Sequence, residues 1–273
     1  MIRSPAVAGQ FYSADRARLG REVDSLLAGA EASPKQRAIA CVVPHAGYVY
    51  SGHVAGAVYA RIELPKRIVL LGPRHYPRGA AMAIVSEGSW QTPLGAAQLD
   101  TELASELKRL FPPLCEDEVA HQREHSLEVQ LPFLQRLIGA GDGAFRFTPI
   151  VLGPLQYADL AALGGALATA IQASRETVLL VASSDMNHYE SDAITRVKDG
   201  KAIEKLLALD ARGLYDTVRR EDISMCGFGP AVTMLTAARL LGATSAELVR
   251  YATSGDINGD RTAVVGYAGV IIH

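Results

Sequence analysis

The sequence predicts an α/β protein, a single three-layer α/β/α domain over residues 1–273 with a mixed, largely parallel central sheet and an antiparallel C-terminal hairpin. Short apolar runs typical of buried strands alternate with longer segments of helical spacing, which is the rhythm of β-α-β units. Residues of hydrophobic type make up 49% of the chain and aromatic residues only 6%, so Ala, Val, Ile and Leu can form a large core. Three histidines, His45, His75 and His188, follow apolar runs directly.

The first half of the chain contains both kinds of segment. Leu19, Val23 and Leu27 have the spacing of one helical face, and Ser51 can cap a helix that follows a glycine-rich loop. Apolar residues from 127 to 138 are also spaced as in a helix, and Pro132 predicts a kink or a restart there. The predicted elements are helix 15–28, polar turn 31–35, strand 38–43, helix 51–60, a strand from 67 that ends before His75, strands 81–86 and 96–99, and a helix from 101.

The second half of the chain continues the β-α-β alternation and then changes to consecutive helices. An Asn-Gly pair at 258–259 between the last two strands is a hairpin signal, so we expect those strands to be antiparallel. The predicted elements are strand 145–152, helix 157–173, strand 177–182, helices 201–209, 211–219 and 231–241, and strands 246–253 and 262–272.

Composition excludes several classes of function. A formal net charge of −2, without a cluster of Lys and Arg among aromatics, argues against nucleic acid as a partner. No apolar run reaches the roughly 18 residues that a membrane span needs, and the N-terminus lacks a signal-peptide core, so we expect a cytoplasmic protein without membrane contact. Three cysteines without CxxC spacing indicate reduced thiols rather than a disulfide framework.

The histidines after the strands predict a metal site. In open α/β sheets, ligands bind at the carboxyl ends of the strands, where His45 and His75 would meet. Cys226 precedes a Gly-Phe-Gly-Pro turn that opens a helix, and a helix N-terminus favours the thiolate that metal ligation requires. Each residue also has an ordinary interpretation, as a hydrogen-bonded neutral histidine or an inert buried thiol.

Several short blocks occur along the whole chain: AGQFY at 8–12, PHAGY at 44–48 followed by Gly52, LGPRH at 71–75, EHS at 124–126 followed by Glu128 and LPF at 131–133, SSD at 183–185 followed by His188, and Cys226-Gly227. Together, and in this order, they resemble the Memo family, whose prokaryotic members are called AmmeMemoRadiSam system protein B. The Memo family is similar in fold to the class III extradiol dioxygenases.

The resemblance implies a set of metal ligands. His45 and His75 match the two metal-binding histidines, and Cys226 matches the third ligand, where the dioxygenases have a carboxylate that completes their non-haem Fe(II) site. We therefore expect a divalent or redox-active metal, with Fe(II) first and Cu or Zn as alternatives. A thiolate is a softer ligand than a carboxylate and can itself be oxidised.

The same resemblance implies an activity and partners. His125 and His188 resemble the acid/base histidines of the dioxygenases, and imidazole suits proton transfer near neutral pH. Asp185 could orient His188 or act as an auxiliary ligand, or it could simply cap a helix. The expected substrate is a small, phenolic molecule. The system name suggests radical-SAM and AMMECR-type protein partners.

One motif points elsewhere. His121, Glu124 and His125 form an HxxEH pattern, in which two histidines on one helical face bind zinc and the glutamate is the general base. Three hypotheses thus stand: a non-haem iron or copper oxidoreductase, a non-catalytic metal-binding or redox-regulatory partner, and a zinc hydrolase. In the first, aromatic side chains could wall the cleft, although ordinary packing explains each of them equally well: Tyr48, Tyr50, Tyr76, Trp90 and Tyr189.

Overall fold

A computed structural model describes residues 2–28 and 34–273, so that most of the predicted polar turn at 31–35 lies outside the described residues. The strands within these ranges are β1 (Ile2–Arg3), β2 (Ala40–Val43), β3 (Arg67–Pro73), β4 (Met82–Ile84), β5 (Ser89–Thr92), β6 (Gly95–Leu99), β7 (Cys115–Glu116), β8 (Arg146–Leu152), β9 (Val178–Ser183), β10 (His188–Glu190), β11 (Ala246–Thr253) and β12 (Val264–Ile272).

The helices lie between these strands, and none of those described is long and apolar enough to cross a membrane. They are α1 (Arg16–Ala28), α2 (Tyr48–Tyr59), α3 (Thr101–Leu110), α4 (Glu118–Gln122), α5 (Leu131–Ile138), α6 (Tyr157–Ala173), α7 (Asp192–Leu207), α8 (Ala211–Arg220), α9 (Phe228–Leu240) and α10 (Gly255–Asn258), with a 3-10 turn at Glu128–Gln130.

The strands pair into one mixed sheet, whose main path runs β1-β5-β6-β8-β3-β9-β2-β12-β10. Its centre is parallel, because β6, β8, β3, β9 and β2 pair in the same direction. β12 is antiparallel to both β2 and β11. The structure therefore confirms the predicted α/β architecture and its largely parallel sheet.

The sheet separates two hydrophobic cores. In β2, Ala40 and Val42 pack into one core and Cys41 and Val43 into the other, since successive side chains of a strand point to opposite faces. Helices α3, α6, α7, α8 and α9 cover the first face, and α1, α2 and α5 cover the second. A strand buried on both faces has apolar residues at successive positions and no alternation with polar ones. Such strands therefore appear in the sequence as continuous apolar runs.

Pro132 marks a helix start, as one of the two predicted alternatives requires. It lies in the first turn of α5, where its missing N–H costs nothing. Other boundaries differ from prediction, since α2 begins at Tyr48 on the glycine-rich loop, and α7 begins at Asp192 instead of residue 201. The first turns of α7 bury Thr195 and Asp199, which are polar, so apolar periodicity could not reveal them.

The last two strands are antiparallel, as predicted from the Asn-Gly pair. Their connection is longer than a two-residue turn, because α10 forms within it. Gly259 ends α10 with a φ of 79°, in the left-handed region that glycine adopts without strain. The pair therefore acts as the end of a short helix and not as a hairpin turn.

Candidate metal centre

Three neighbouring parallel strands deliver the predicted site residues to one edge of the sheet. β9 lies between β3 and β2 and is parallel to both. Their carboxyl ends therefore meet, and the segments that follow them carry His75, His45 and Asp185. This is the position at which open α/β sheets bind ligands.

Three imidazoles come together there. His45, His75 and His125 each offer a ring nitrogen, and these nitrogens lie within 4.8 Å of one another. The rings of His75 and His125 stack with centroids 4.6 Å apart, and His45 meets both edge-on. One ion would need these nitrogens about 3.0–3.5 Å apart, a difference that side-chain rotation can supply. The chain thus contains a candidate metal-binding group of three histidines.

The protonation of His45 follows from its neighbours. The hydroxyl of Ser183 donates its one proton to the Ser126 carbonyl at 2.7 Å. It must therefore accept the hydrogen bond that joins it to His45 Nδ1 at 2.9 Å. Nδ1 carries the proton, and Nε2 presents a lone pair to the site, which is the tautomer that binds a metal through Nε2.

Glu124 orients His75 in the same way. One carboxylate oxygen accepts from His75 Nδ1 at 2.9 Å, and the other accepts from the His75 backbone N–H at 2.7 Å. Burial opposes ionisation of this carboxyl, but the hydrogen bond and the nearby His75 and His125 outweigh it and hold the pKa of Glu124 at about 2. The pair has the arrangement of a carboxylate–histidine–metal triad, in which the carboxylate fixes the ring and raises its basicity.

The donor set suits a metal ion. Burial lowers the pKa of His45 well below its ordinary value, and burial with the neighbouring His75 lowers the pKa of His125 to about 4 despite the opposing charge of Glu124. Both imidazoles are therefore neutral at pH 7, which is the form that ligates metals. Neutral imidazoles suit iron, copper and zinc alike, so the donors do not select among these metals.

Cys226 lies beside this group, with Sγ 3.2 Å from His45 Nε2. It precedes α9, and Gly227 brings the turn so close to β9 that a Cβ there would lie 2.4 Å from the Ser183 carbonyl oxygen. Burial raises the pKa of the Cys226 thiol. The free thiol is therefore protonated at neutral pH, and a bound metal would have to displace its proton.

His188 lies on β10 and lines a cavity together with His45, His75, His125 and Cys226. Its Nδ1 donates to the Ser224 carbonyl at 2.9 Å, which leaves Nε2 as a proton acceptor. Asp185 does not cap a helix, because β10 follows it. Its Oδ1 accepts from the backbone N–H groups of His45 at 2.8 Å and Ala46 at 3.3 Å, so it holds the loop that carries His45.

The HxxEH residues do not form the predicted helical pair. Helix α4 ends at Gln122, so His121 is helical while Glu124 and His125 lie beyond the helix. His121 is fully buried, donates from Nδ1 to the Asp117 carbonyl and meets Trp90 edge-on. The prediction that both imidazoles share one helical face is wrong, because the first belongs to the core and the second to the group with His45.

The four histidines and Cys226 surround a cavity of about 560 Å³, the size of a small-molecule site. Phe11 forms part of its wall, with its ring 4.8 Å from that of His125. The N-terminal segment, residues 2–12, contributes this ring to the site. It reaches the site because buried Arg3 pairs with buried Glu128 at 2.7 Å, which holds residues 2–12 against the 3-10 turn.

Of the aromatic side chains predicted to wall the cleft, Tyr189 lines this cavity. Trp90 and Tyr48 belong to the core, where Tyr48 donates to the Val129 carbonyl. Ser183, Ser224 and Phe11 are site residues that the sequence did not single out. Ser183 lies within the SSD block and Phe11 within the AGQFY block, and both blocks were usable signals, whereas nothing local marks Ser224.

The chain matches known proteins along almost its whole length. The profile of the Memo-like protein family matches residues 3–271. The chain belongs to the Memo family. A Memo family relative from Methanosarcina barkeri, described as a MEMO1 family protein, is 42% identical over 99% of this chain and 100% of its own length. MEMO1 family proteins of Methanopyrus kandleri and Sulfolobus acidocaldarius are 39% and 41% identical, each over 99% of both chains.

Membership of the Memo family confirms the resemblance carried by the sequence blocks. It also places the candidate metal-binding group in a chain that matches its relatives from end to end, with about 40% identity. The histidine group thus lies within the region of the chain that matches the family.

Proposed function

We propose that this protein is a non-haem metal oxidoreductase that acts on a small, phenolic molecule, with Fe(II) as the favoured metal and Cu or Zn as alternatives. The observation that supports it best is the group of three imidazoles in a cavity of about 560 Å³. His45 and His75 would hold the metal through Nε2, since Ser183 and Glu124 occupy their Nδ1 atoms.

The third ligand is proposed to be Cys226, as the Memo family resemblance implies. Its Sγ already lies at contact distance from His45 Nε2. His125 is the competing candidate, because its ring nitrogen belongs to the same 4.8 Å group as those of His45 and His75. Two histidines with one further ligand would leave coordination positions open for substrate and O₂ on a bound Fe(II) ion.

Two groups of this chain would move the substrate's proton. Burial lowers the pKa of His188, and its tautomer presents Nε2 as a base in the cavity. The lowered pKa keeps this imidazole neutral and able to accept a proton, and a bound metal would supply the acidity that a phenolic hydroxyl needs to give up its proton near pH 7. If Cys226 is the ligand, His125 is free to act as a second acid or base, stacked on His75.

Metal content measured by elemental mass spectrometry on anaerobically purified protein tests the proposal. We expect iron or copper near one per chain in wild type, loss in His45→Ala, and retention in His53→Ala, which removes a histidine outside the group. Loss in Cys226→Ala with retention in His125→Ala would assign the thiolate, and the reverse would assign the imidazole. No metal, or zinc indifferent to His45→Ala, would refute the site. If the metal is present, oxygen uptake with catechols tests turnover.

A second proposal is a metal-binding or redox-regulatory role in a system with radical-SAM and AMMECR-type partners. The Cys226 Sγ beside His45 favours it, because a thiolate ligand can be oxidised and the oxidation would change metal affinity. Burial raises the pKa of this thiol, so such a response would need the metal bound. Stable complexes with those partners, metal bound and no oxygen consumption, would favour this role over catalysis.

A further inference from the structure

A second cavity of about 500 Å³ adjoins the metal centre. Phe11 and His125 line both cavities, so the two share a border at these side chains, whose ring centroids are 4.8 Å apart. The second cavity lies between the N-terminal segment and the turn that follows α4. Its lining includes arginines, whereas the described lining of the histidine cavity does not.

Two arginines line the second cavity, and its described lining includes no carboxylate. Arg3 is already neutralised, because it pairs with Glu128 at 2.7 Å, donates to the carbonyls of His121 and Glu124, and lies over the ring of Trp90. Its side chain is 2% exposed and its charge already has a partner, so Arg3 offers no unpaired charge to a ligand.

Arg123 differs from Arg3 in this respect. It is exposed, and among the described residues its guanidinium contacts the ring of Tyr76, at 5.4 Å, rather than any carboxylate. It thus provides an uncompensated positive charge at the cavity wall, next to the uncharged amides of Gln10 and Gln122. A guanidinium that lies over an aromatic ring and has no carboxylate partner keeps N–H groups available for a carboxylate or phosphate.

The position of Arg123 connects this charge to the metal centre. It lies two residues before His125, and the Tyr76 ring beneath it directly follows His75. The described lining of the histidine cavity contains no Lys or Arg, so an anionic substituent has its complementary charge in the second cavity. Salt screens the attraction between Arg123 and a substituent in hydrogen-bond contact with it only weakly, because that contact is shorter than the Debye length of about 8 Å in physiological salt.

We propose that the second cavity binds an anionic group, a carboxylate or a phosphate, of the small molecule whose other end reaches the metal centre, and that Arg123 selects for it. This inference rests on the proposed function for the metal-bound end of the ligand. The anion site itself requires only the residues that line the second cavity.

Calorimetric titration of anaerobic, Fe(II)-loaded protein tests the complete ligand. The probes are 3-(3,4-dihydroxyphenyl)propanoate and its neutral primary amide, which differ only in charge. We expect wild type to bind the acid about tenfold more tightly than the amide, as a charge-assisted hydrogen bond would give. Arg123→Gln should remove this preference, Arg123→Lys should retain part of it, and Arg239→Gln, an exposed arginine on α9, should leave it unchanged.

An equal acid-to-amide ratio in wild type and Arg123→Gln would overturn the inference. A second titration, with metal-free protein, separates it from the proposed function. There 3-phenylpropanoate and phenyl phosphate replace the catechols, and binding of either that is lost in Arg123→Gln supports the anion site and names the preferred anion. Binding of neither, or binding indifferent to Arg123, overturns it, whereas absence of any metal in purified protein would overturn only the metal proposal.

Discussion

Glu128 ties the N-terminal segment to the rest of the protein, and its replacement should release that segment from the site. Its carboxylate is fully buried and accepts from Arg3 Nη1 at 2.7 Å, the Ala6 and Val7 backbone N–H groups at 2.7 and 3.0 Å, and the Tyr12 hydroxyl at 2.7 Å. Four donors thus converge on one carboxylate. The perturbation is Glu128→Gln, which keeps the shape and removes the charge.

The magnitude follows from what is left behind. Arg3 is 2% exposed, so without Glu128 its charge stays buried and unpaired. The new amide also turns an N–H₂ group toward donors that need an acceptor. Breaking a buried ion pair by removing one partner costs about 3–5 kcal/mol, and we expect Glu128→Gln to lower the free energy of unfolding by about that amount.

Urea unfolding measures the loss, with Glu106→Gln as the control. Glu106 also pairs with an arginine, Arg109, but the two side chains are 34% and 68% exposed, so that change should have little effect on the free energy of unfolding. Amide hydrogen exchange of residues 2–12 should accelerate in Glu128→Gln alone, since Phe11 would leave the cavity wall with its segment. A loss of stability no larger than in the control, or unchanged hydrogen exchange, would refute the conclusion that Glu128 holds residues 2–12 in place.

Three further predictions concern the site and its surroundings. Glu124→Gln should weaken metal binding about 10–100-fold by releasing the His75 ring, and competition with a chelator measures this. Burial raises the pKa of Asp199 from 3.8 to about 7. The folded carboxyl therefore holds its proton more tightly than the unfolded one, and stability falls as pH rises between these values. Asp199→Asn should then stabilise by about 2 kcal/mol more at pH 8 than at pH 5 in urea unfolding, and an equal gain at both would contradict the assignment. Gly227→Ala should destabilise by about 1–3 kcal/mol and weaken metal binding, because the new methyl meets the Ser183 carbonyl; thermal unfolding and metal titration would find no change if the turn can shift freely.

The candidate site could be predicted in part because strand ends are visible in the sequence. β2, β3 and β9 are buried on both faces and so read as apolar runs, and His45 and His75 follow two of them. The rule that parallel strands deliver their carboxyl ends to one edge then brings the residues together without knowledge of any contact. The family blocks added Cys226 and His125, which no strand end marks.

Elements without an apolar pattern could not be predicted. The short strands β1 and β10 have too few residues for periodicity, and they form because they pair with strands distant in the chain, β5 and β12. The first turns of α7 bury hydrogen-bonded polar side chains, which resemble an exposed loop in the sequence. The HxxEH prediction failed for a related reason. It assumes one helix through both histidines, whereas α4 ends at Gln122, before His125.

The sequence by itself determined the alternation of strands and helices, the parallel centre of the sheet and the two histidines at its edge, because burial on both faces and strand direction are local properties of the chain. Only the tertiary structure decided which ring nitrogens meet, which tautomer each imidazole holds and which side chains close the cavity. They depend on the hydrogen bonds that Ser183 and Glu124 accept from His45 and His75, and on the ion pair between Arg3 and Glu128, which are 125 positions apart. Such contacts are set by packing across the whole fold, which no local pattern records.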